Sequence, residues 1–450
     1  MLKRETAYML ILVLFSIGIG VAFIIGYDFL FGSIAVISLL TLFIIRPKLF
    51  IFTLVSLLTM HGLITGGERF ASDSLLNFDV RGLINILAVL LGAAYFLFNR
   101  KARFFGATAK LYLVFLFFCA LSLLYSKNFY EGIRFLARLA SPFVFYLIIL
   151  NEIKIERDIK TLIKCIFISA VVPLTLGMYQ LITGSGNHYT RGFMRIYATY
   201  GHPNAYSFYL VFLFCITYTY LLSRDYKWKP WMVLLNILIV FSILQTYCRI
   251  AWVALAIVFF FLNYRYGQKK IIIISLILGL PISIYLMPSI IKRFKDVIQL
   301  LTGHNLLRSD ISLGWRFNAW NNTLKRVPEH LFIGHGLGSA PQLMLKLYRQ
   351  KTTPHNGYLR ILYDTGLIGL SLFVSVIFAM AIRGNELLGK IKKGYEFDSA
   401  SMYMSCLIAF VFILISDNIL EYYSVAAYFW VLFAVGGNIS RELKINKIYE

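Results

Sequence analysis

The chain has 450 residues, 59% of them hydrophobic and 14% charged, with a mean hydropathy of +0.73. Soluble domains run at about 45–50% apolar and about 25% charged, and a soluble chain this long would fall into domains joined by polar linkers; no such linker exists, so a soluble enzyme is excluded. The net charge of +23 does not point to nucleic acid, because in a membrane protein excess Lys and Arg first report topology.

Apolar runs of roughly 18–20 residues, each long enough to cross a bilayer as a helix, recur from end to end. They predict an all-α polytopic membrane protein of about 12–14 transmembrane helices with one large extracytoplasmic loop. In chain order the spans are 7–25, 30–45, 50–64, 81–98, 111–125, 132–150, 161–183, 204–222, 231–247, 250–264, 271–288, 356–382, 400–416 and 423–438. Lys3 and Arg4 precede a long apolar stretch with no small-residue cleavage site, which predicts an uncleaved first helix. With the N-terminus inside, every second connection carries at least two cations, from Arg46/Lys48 through Lys154/Arg157/Lys160 to Arg441/Lys444/Lys447. That alternation predicts both termini and the 383–399 connection in the cytoplasm.

Three longer segments then face outward: 65–80 (with Glu68, Arg69, Asp73 and Asp79), 184–203, and 289–355. The last divides the chain into helices 1–11 (residues 1–288), a large outer loop (289–355), and helices 12–14 with a cytoplasmic tail (356–450). Within it, PSIIKRFKDVIQLL carries Ile290, Ile291, Phe294, Val297, Ile298 and Leu301 on one helical face, predicting an interfacial helix. A second helix is expected from Leu313 to Lys325. A glycine-rich turn, FIGHGLGSAP, follows, then a short helix through MLKLYRQ. Gly334, Gly336 and Gly338 follow no strand, so they predict a turn of positive φ and not a nucleotide site. Gly366 and Gly369 suit close helix packing. The five cysteines stand singly in apolar surroundings and read as small core residues.

Outward-facing polar residues carry the chemistry. Arg191 and Arg195 precede a membrane helix in RIYATYGHPN; Arg249 sits in the tight hairpin TYCRIAW; Arg316 lies in the long loop within GWRFNAWNN; His355 stands where the loop re-enters the membrane. A cation in so tight an outer hairpin is expensive and marks function. Converging guanidinium forks match phosphate oxygens bidentately, and a histidine beside them can accept a proton near neutral pH. The natural anion at that depth is the diphosphate of a lipid-linked substrate. Arg134 and Arg138 share a helix face and either line the same cavity or snorkel. His61, His188, His202, His304, His330 and His335 read as loop or interface residues. Tyr189, Tyr197, Tyr200, Trp315, Trp320, Tyr358, Tyr422 and Tyr423 suit stacking on sugar rings. No P-loop, HExxH or outer D-x-D occurs, so neither a cofactor nor a metal is expected, and the sugar donor is expected to be lipid-linked.

The motifs resemble those of the O-antigen ligase/polymerase superfamily. HNGYLRILYDTGLIGL is similar to its H-N-x-x-L…acid-x-G-x-x-G hallmark. RIYATYGHPN, TYCRIAWVAL and WRFNAWNNTLKRVPEHLFIGHGLGS resemble its other motifs in order, across residues 170–420. Cys248 stands where Ser or Thr is usual and Ala198 where Gly is usual. The resemblance implies that Arg195, Arg249 and Arg316 hold the lipid diphosphate, that His355 is the catalytic histidine, and that Asp417 in SDNILEYYS is a functional acid. Arg191 and Arg138 are added as expected diphosphate contacts. It implies a bacterial inner-membrane glycosyltransferase, inverting and metal-independent. This enzyme would move an oligosaccharide from a polyprenyl diphosphate donor to an acceptor hydroxyl, with membrane lipids and a chain-length regulator as further partners. The acceptor is a second lipid-linked repeat for a polymerase, which the span count and aromatic loops favour, or lipid A–core for a ligase. A transporter of lipid-linked glycans is the reading from another class; it needs an inward-facing cationic cavity, whereas these arginines cluster on the outer side.

Overall fold

A computed structural model describes residues 41–60, 80–99, 106–189, 193–223, 229–275, 312–349, 352–391 and 394–449, with Ser38 and Ile277. The predicted span 7–25, most of 30–45 and 271–288, and the expected interfacial helix at 290–301 lie outside them, as do Arg191, His61, His304 and nearly all of the 65–80 segment.

The helices follow the apolar runs. They are α1 (Pro47–Leu58), α2 (Val80–Phe98), α3 (Gly106–Ser122), α4 (Phe129–Glu152), α5 (Glu156–Thr183), α6 (Pro203–Leu222), α7 (Lys229–Gln245), α8 (Arg249–Arg265) and α9 (Lys269–Ile274). After the outer loop's α10 (Ser312–Leu324) and α11 (Ser339–Tyr348) come α12 (Gly357–Lys390), α13 (Tyr395–Ser416) and α14 (Tyr423–Tyr449). Among the described residues, six segments are long and apolar enough to cross a bilayer: α3 with the short turn after it, α4, α5, α6, α12 and α13. This is the predicted all-α polytopic architecture. The helices overrun the predicted spans into charged residues. α12 continues past 382 to Lys390 and carries an Arg383–Glu386 pair at 3.0 Å, because i→i−4 bonding does not end where hydrophobicity does. α5 opens with Glu156 and Asp158 in its first turn, complementing the helix dipole.

The centre of the bundle is α4, α6, α13 and α14, with α2 on α4, α3 on α12, α7 on α6 and α8 on α13. α6 is apolar on every side, and its residues from Pro203 to Thr219 are all buried, as a helix surrounded by others must be. Cys119, Cys215, Cys248 and Cys406 are buried and Cys165 half-buried, all as free thiols, in keeping with the core reading. One feature was not anticipated: Asn187–Tyr189 and Phe193–Arg195 form a small antiparallel hairpin, β1–β2, pairing Asn187 with Arg195.

The described part of the outer loop has its own small core of Ala319, Val327, Ala340, Leu343, Met344 and Tyr363, the last from α12. α10 and α11 appear close to their expected places. Between them the glycine turn does what its sequence suggested: Gly334, Gly336 and Gly338 have φ of 73, 90 and 88°. Each presses on a different neighbour. A Cβ on Gly334 would lie 2.5 Å from the Gly366 nitrogen, on Gly336 2.4 Å from the Ser126 Cα, and on Gly338 2.4 Å from the Gly132 nitrogen.

α12 is broken at Gly366 (φ 66°, ψ −168°), so this glycine serves contact with the loop turn and not only helix packing. The backbone groups that the break releases are taken up reciprocally. Leu367 and Ile368 N–H donate to the Leu331 and Phe332 carbonyls at 2.9 and 3.1 Å, while His335 and Gly336 N–H donate to the Tyr363 and Asp364 carbonyls at 2.9 Å each. Buried backbone groups must find such partners. Gly366→Ala should therefore destabilise the protein by more than the roughly 1–3 kcal/mol cost of holding alanine in a backbone region open essentially to glycine alone, since its Cβ would lie 2.3 Å from the Phe332 oxygen. Gly389→Ala, where nothing lies within 4 Å, should be neutral. Melting temperatures of the two variants in detergent check this.

Candidate active site

The α13–α14 connection brings Asp417 to the centre of the site. It follows the last residue of α13 and is 1% exposed. Its two oxygens have separate partners. Oδ1 lies 3.3 Å from His355 Nδ1 and accepts the Asn418 N–H at 2.8 Å; Oδ2 accepts from Asn204 Nδ2 at 2.6 Å and lies 3.8 Å from Arg316 Nη2. Burial pushes the Asp417 carboxyl up, but its hydrogen bond with His355 and the nearby charge of Arg316 outweigh that and hold it below the usual carboxylate range. It is ionised at neutral pH, and an ionised carboxylate only accepts. His355 Nδ1 must therefore carry the hydrogen, which leaves Nε2 as the proton-accepting nitrogen; that atom lies 3.4 Å from Thr352 Oγ1. The His355 backbone is left-handed, with φ 51°, and the next residue, Asn356, caps α12 by accepting the Leu359 N–H at 2.9 Å. Trp315 meets the imidazole edge-on, with centroids 5.5 Å apart.

Arg316 reaches the same place from α10, donating through Nη1 to the Ser416 carbonyl at 2.6 Å and Oγ at 2.8 Å. Arg195, at the end of β2, donates to the Thr246 carbonyl at 2.6 Å and to Asn204 Oδ1 at 2.7 Å. Asn204 thus bridges Arg195 to Asp417 with its amide orientation fixed at both ends. Arg249 is the first residue of α8, three residues beyond Thr246, after a hairpin in which Tyr247 is left-handed. The structure thus draws Arg195, Arg316, His355 and Asp417 together, with the Arg249 hairpin tied to them through Thr246.

Arg138 goes elsewhere. It pairs with Glu421, which also pairs with Arg360. Arg360 is 2% exposed, lies 3.6 Å from Asp364 and stacks on Phe135 at 3.4 Å. Asp364 in turn accepts the Gly338 and Ala340 N–H groups at 3.2 and 2.8 Å, capping α11. Arg134 pairs with Glu131 at 2.9 Å. Of the aromatic residues expected to stack on sugar, Trp315 and Tyr422 contact site histidines; Tyr200 instead stacks on Tyr206 and Tyr209, and Tyr358 donates to the Val411 carbonyl.

Sequence reasoning missed Asn204, Glu421 and Arg360, and it reads His202 as a loop or interface residue. His202 caps α6 through Nδ1, which accepts the Asn204 N–H at 3.2 Å, and stacks on Tyr422 with centroids 6.0 Å apart. Burial, helped by the charges of Arg195 and Arg316 against the pull of Asp417, lowers its pKa to about 4, so it is neutral at neutral pH. The available signal was Pro203, which marks a helix start and so a capping role for the residue before it.

Residues 234–374 match the family described as O-antigen ligase. This match supports the O-antigen ligase/polymerase superfamily as the one that the chain resembles. The matched stretch includes Arg249, Arg316 and His355, whereas Arg195, His202, Asn204 and Asp417 come from elements on either side of it. No curated protein matches the chain.

The pairing of Glu421 with two arginines gives a test of the neighbouring network. Glu421→Gln leaves Arg360 buried with Asp364 as its remaining ion-pair partner, and breaking a buried ion pair by removing one partner costs up to roughly 3–5 kcal/mol. A marked fall in melting temperature is expected, with a smaller one for Glu131→Gln, whose partner Arg134 is 15% exposed.

Proposed function

We propose that the protein is a membrane glycosyltransferase that transfers an oligosaccharide from a polyprenyl diphosphate to an acceptor hydroxyl on the outer face of the bacterial inner membrane, as a surface-polysaccharide polymerase. The observation that carries this reading is the His355–Asp417–Arg316 cluster, joined to Arg195 through Asn204, within a chain that resembles this superfamily.

The acceptor hydroxyl oxygen attacks the anomeric carbon. Its proton passes to His355 Nε2 as the bond from that carbon to the phosphate oxygen breaks, and the electron pair leaves with the diphosphate. Asp417 holds the imidazole in the tautomer this requires and stabilises the imidazolium that forms. Arg195, Arg249 and Arg316 stabilise the charge on the departing diphosphate, a role that in other transferases a metal ion fills. Displacement from the opposite face inverts the anomeric centre. The described part of the outer loop supplies Arg316 and Trp315 to the site, and Arg191 is a further expected diphosphate contact. Arg138, held by Glu421, belongs to the neighbouring ion-pair network. A chain-length regulator would act on the emerging polymer. A ligase differs in its acceptor alone, lipid A–core, and uses the same groups.

His355→Ala should abolish transfer while leaving donor binding nearly intact; a general base contributes on the order of a hundred- to ten-thousand-fold. Asp417→Asn should lose on the order of a thousandfold or more, since the amide presents the wrong tautomer to the ring. Arg249→Lys should lose both donor affinity and rate, because an ammonium does not replace a bidentate fork. Purified variants assayed with a labelled lipid-linked donor decide these, and near-native turnover by His355→Ala overturns the base assignment.

Transfer should also persist in excess chelator; abolition with rescue by magnesium or manganese contradicts the arginine role. In cells, loss of long chains with one repeat retained on the core means polymerase, and loss of every repeat from the core means ligase.

A further inference from the structure

His202 has a position that its capping role does not explain. A helix N-cap is best served by Asn, Asp, Ser or Thr, and any of these could accept the Asn204 N–H that His202 Nδ1 takes at 3.2 Å. An imidazole brings something more. Because Nδ1 accepts a backbone N–H, the ring is neutral and its hydrogen must sit on Nε2. Nε2 has no hydrogen-bonding partner among the described residues, and the residue is half-buried rather than sealed. The ring is held in place by two independent contacts, the cap and the Tyr422 stack with an interplanar angle of 20°. It also lies within electrostatic reach of Asp417, Arg195, His355 and Arg316, and the residue two places on is the Asn204 that joins Arg195 to Asp417.

We propose that His202 is a substrate-contacting residue, a neutral Nε2–H donor to a diphosphate oxygen of the lipid-linked donor. This rests on the glycosyltransferase reading above. A neutral donor has a specific use among arginines. It adds a directed hydrogen bond to an anionic oxygen without adding a cation that would compete for Asp417 or repel the imidazolium forming on His355. The low basicity of the ring keeps it in that form across the working pH range.

The deciding variant is His202→Asn, which keeps an N-cap acceptor but has no group at the Nε2 position. Its melting temperature should match the parent, kcat/KM for the lipid-linked donor should fall about 10- to 100-fold, as for loss of a hydrogen bond to a charged group, and KM for the acceptor should stay unchanged. His202→Gln, whose amide can reach the Nε2 position, should recover part of the loss. His355→Ala is assayed in parallel: if it retains turnover, the glycosyltransferase reading itself fails. If His355→Ala is inactive but His202→Asn keeps parental kcat/KM for the donor, the His202 proposal is overturned. It is also overturned if His202→Asn loses stability and donor and acceptor parameters alike, because that is the signature of a cap alone. Should Asn destabilise α6, His202→Ser, which also caps, makes the same comparison.

Discussion

A single buried negative charge organises the site. Asp417 is 1% exposed, and an ionised carboxylate so placed is tolerable only when charge and hydrogen bonds surround it. Each partner that satisfies it comes from a different part of the chain: His355 from the entry to α12, Arg316 from the loop helix α10, Asn204 from the first turn of α6. The requirement to neutralise Asp417 is therefore also what assembles the cluster. It sets the His355 tautomer, and through Asn204 it reaches Arg195. The separate network of Arg138, Glu421, Arg360 and Asp364 follows the same logic a few residues on and anchors the loop turn.

The second constraint is backbone satisfaction. A membrane helix cannot be interrupted cheaply, since released N–H and C=O groups need partners where water is scarce. α12 is interrupted at Gly366 because the 331–336 turn supplies those partners strand-fashion, and three left-handed glycines let the turn come that close. The loop is consequently joined to the membrane bundle through the broken helix that carries His355 at its start.

Two departures from the family's motifs are absorbed locally. Ala198, where glycine is usual, keeps a left-handed φ of 48°, and Gln180 holds it there, accepting the Ala198 N–H at 2.8 Å and donating to its carbonyl at 3.4 Å. Alanine's left-handed penalty is modest beside two buried hydrogen bonds. Cys248 gives up the side-chain cap that serine or threonine could provide for α8, and its own N–H instead lies 3.4 Å from Thr246 Oγ1. Neither change moves a charged group.

Hydropathy, charge alternation and glycine placement determined the fold class, most helix positions and the character of the glycine turn, because each is a local property: a run long enough for a bilayer, a φ that only glycine adopts freely. The arginines and His355 were legible too, since charge at a membrane edge is conspicuous in an apolar sequence. What the sequence could not decide was which charges meet. Arg138 and Arg316 look alike in one dimension, yet the first pairs with Glu421 and the second approaches Asp417. Asn204 and His202 look like an ordinary helix start until α13 brings Asp417 beside them. Those choices depend on contacts between residues far apart in the chain, 213 positions for the Asn204–Asp417 bond and 283 for Arg138–Glu421, and only the packing of α6 against α13 and of α4 against α14 creates them.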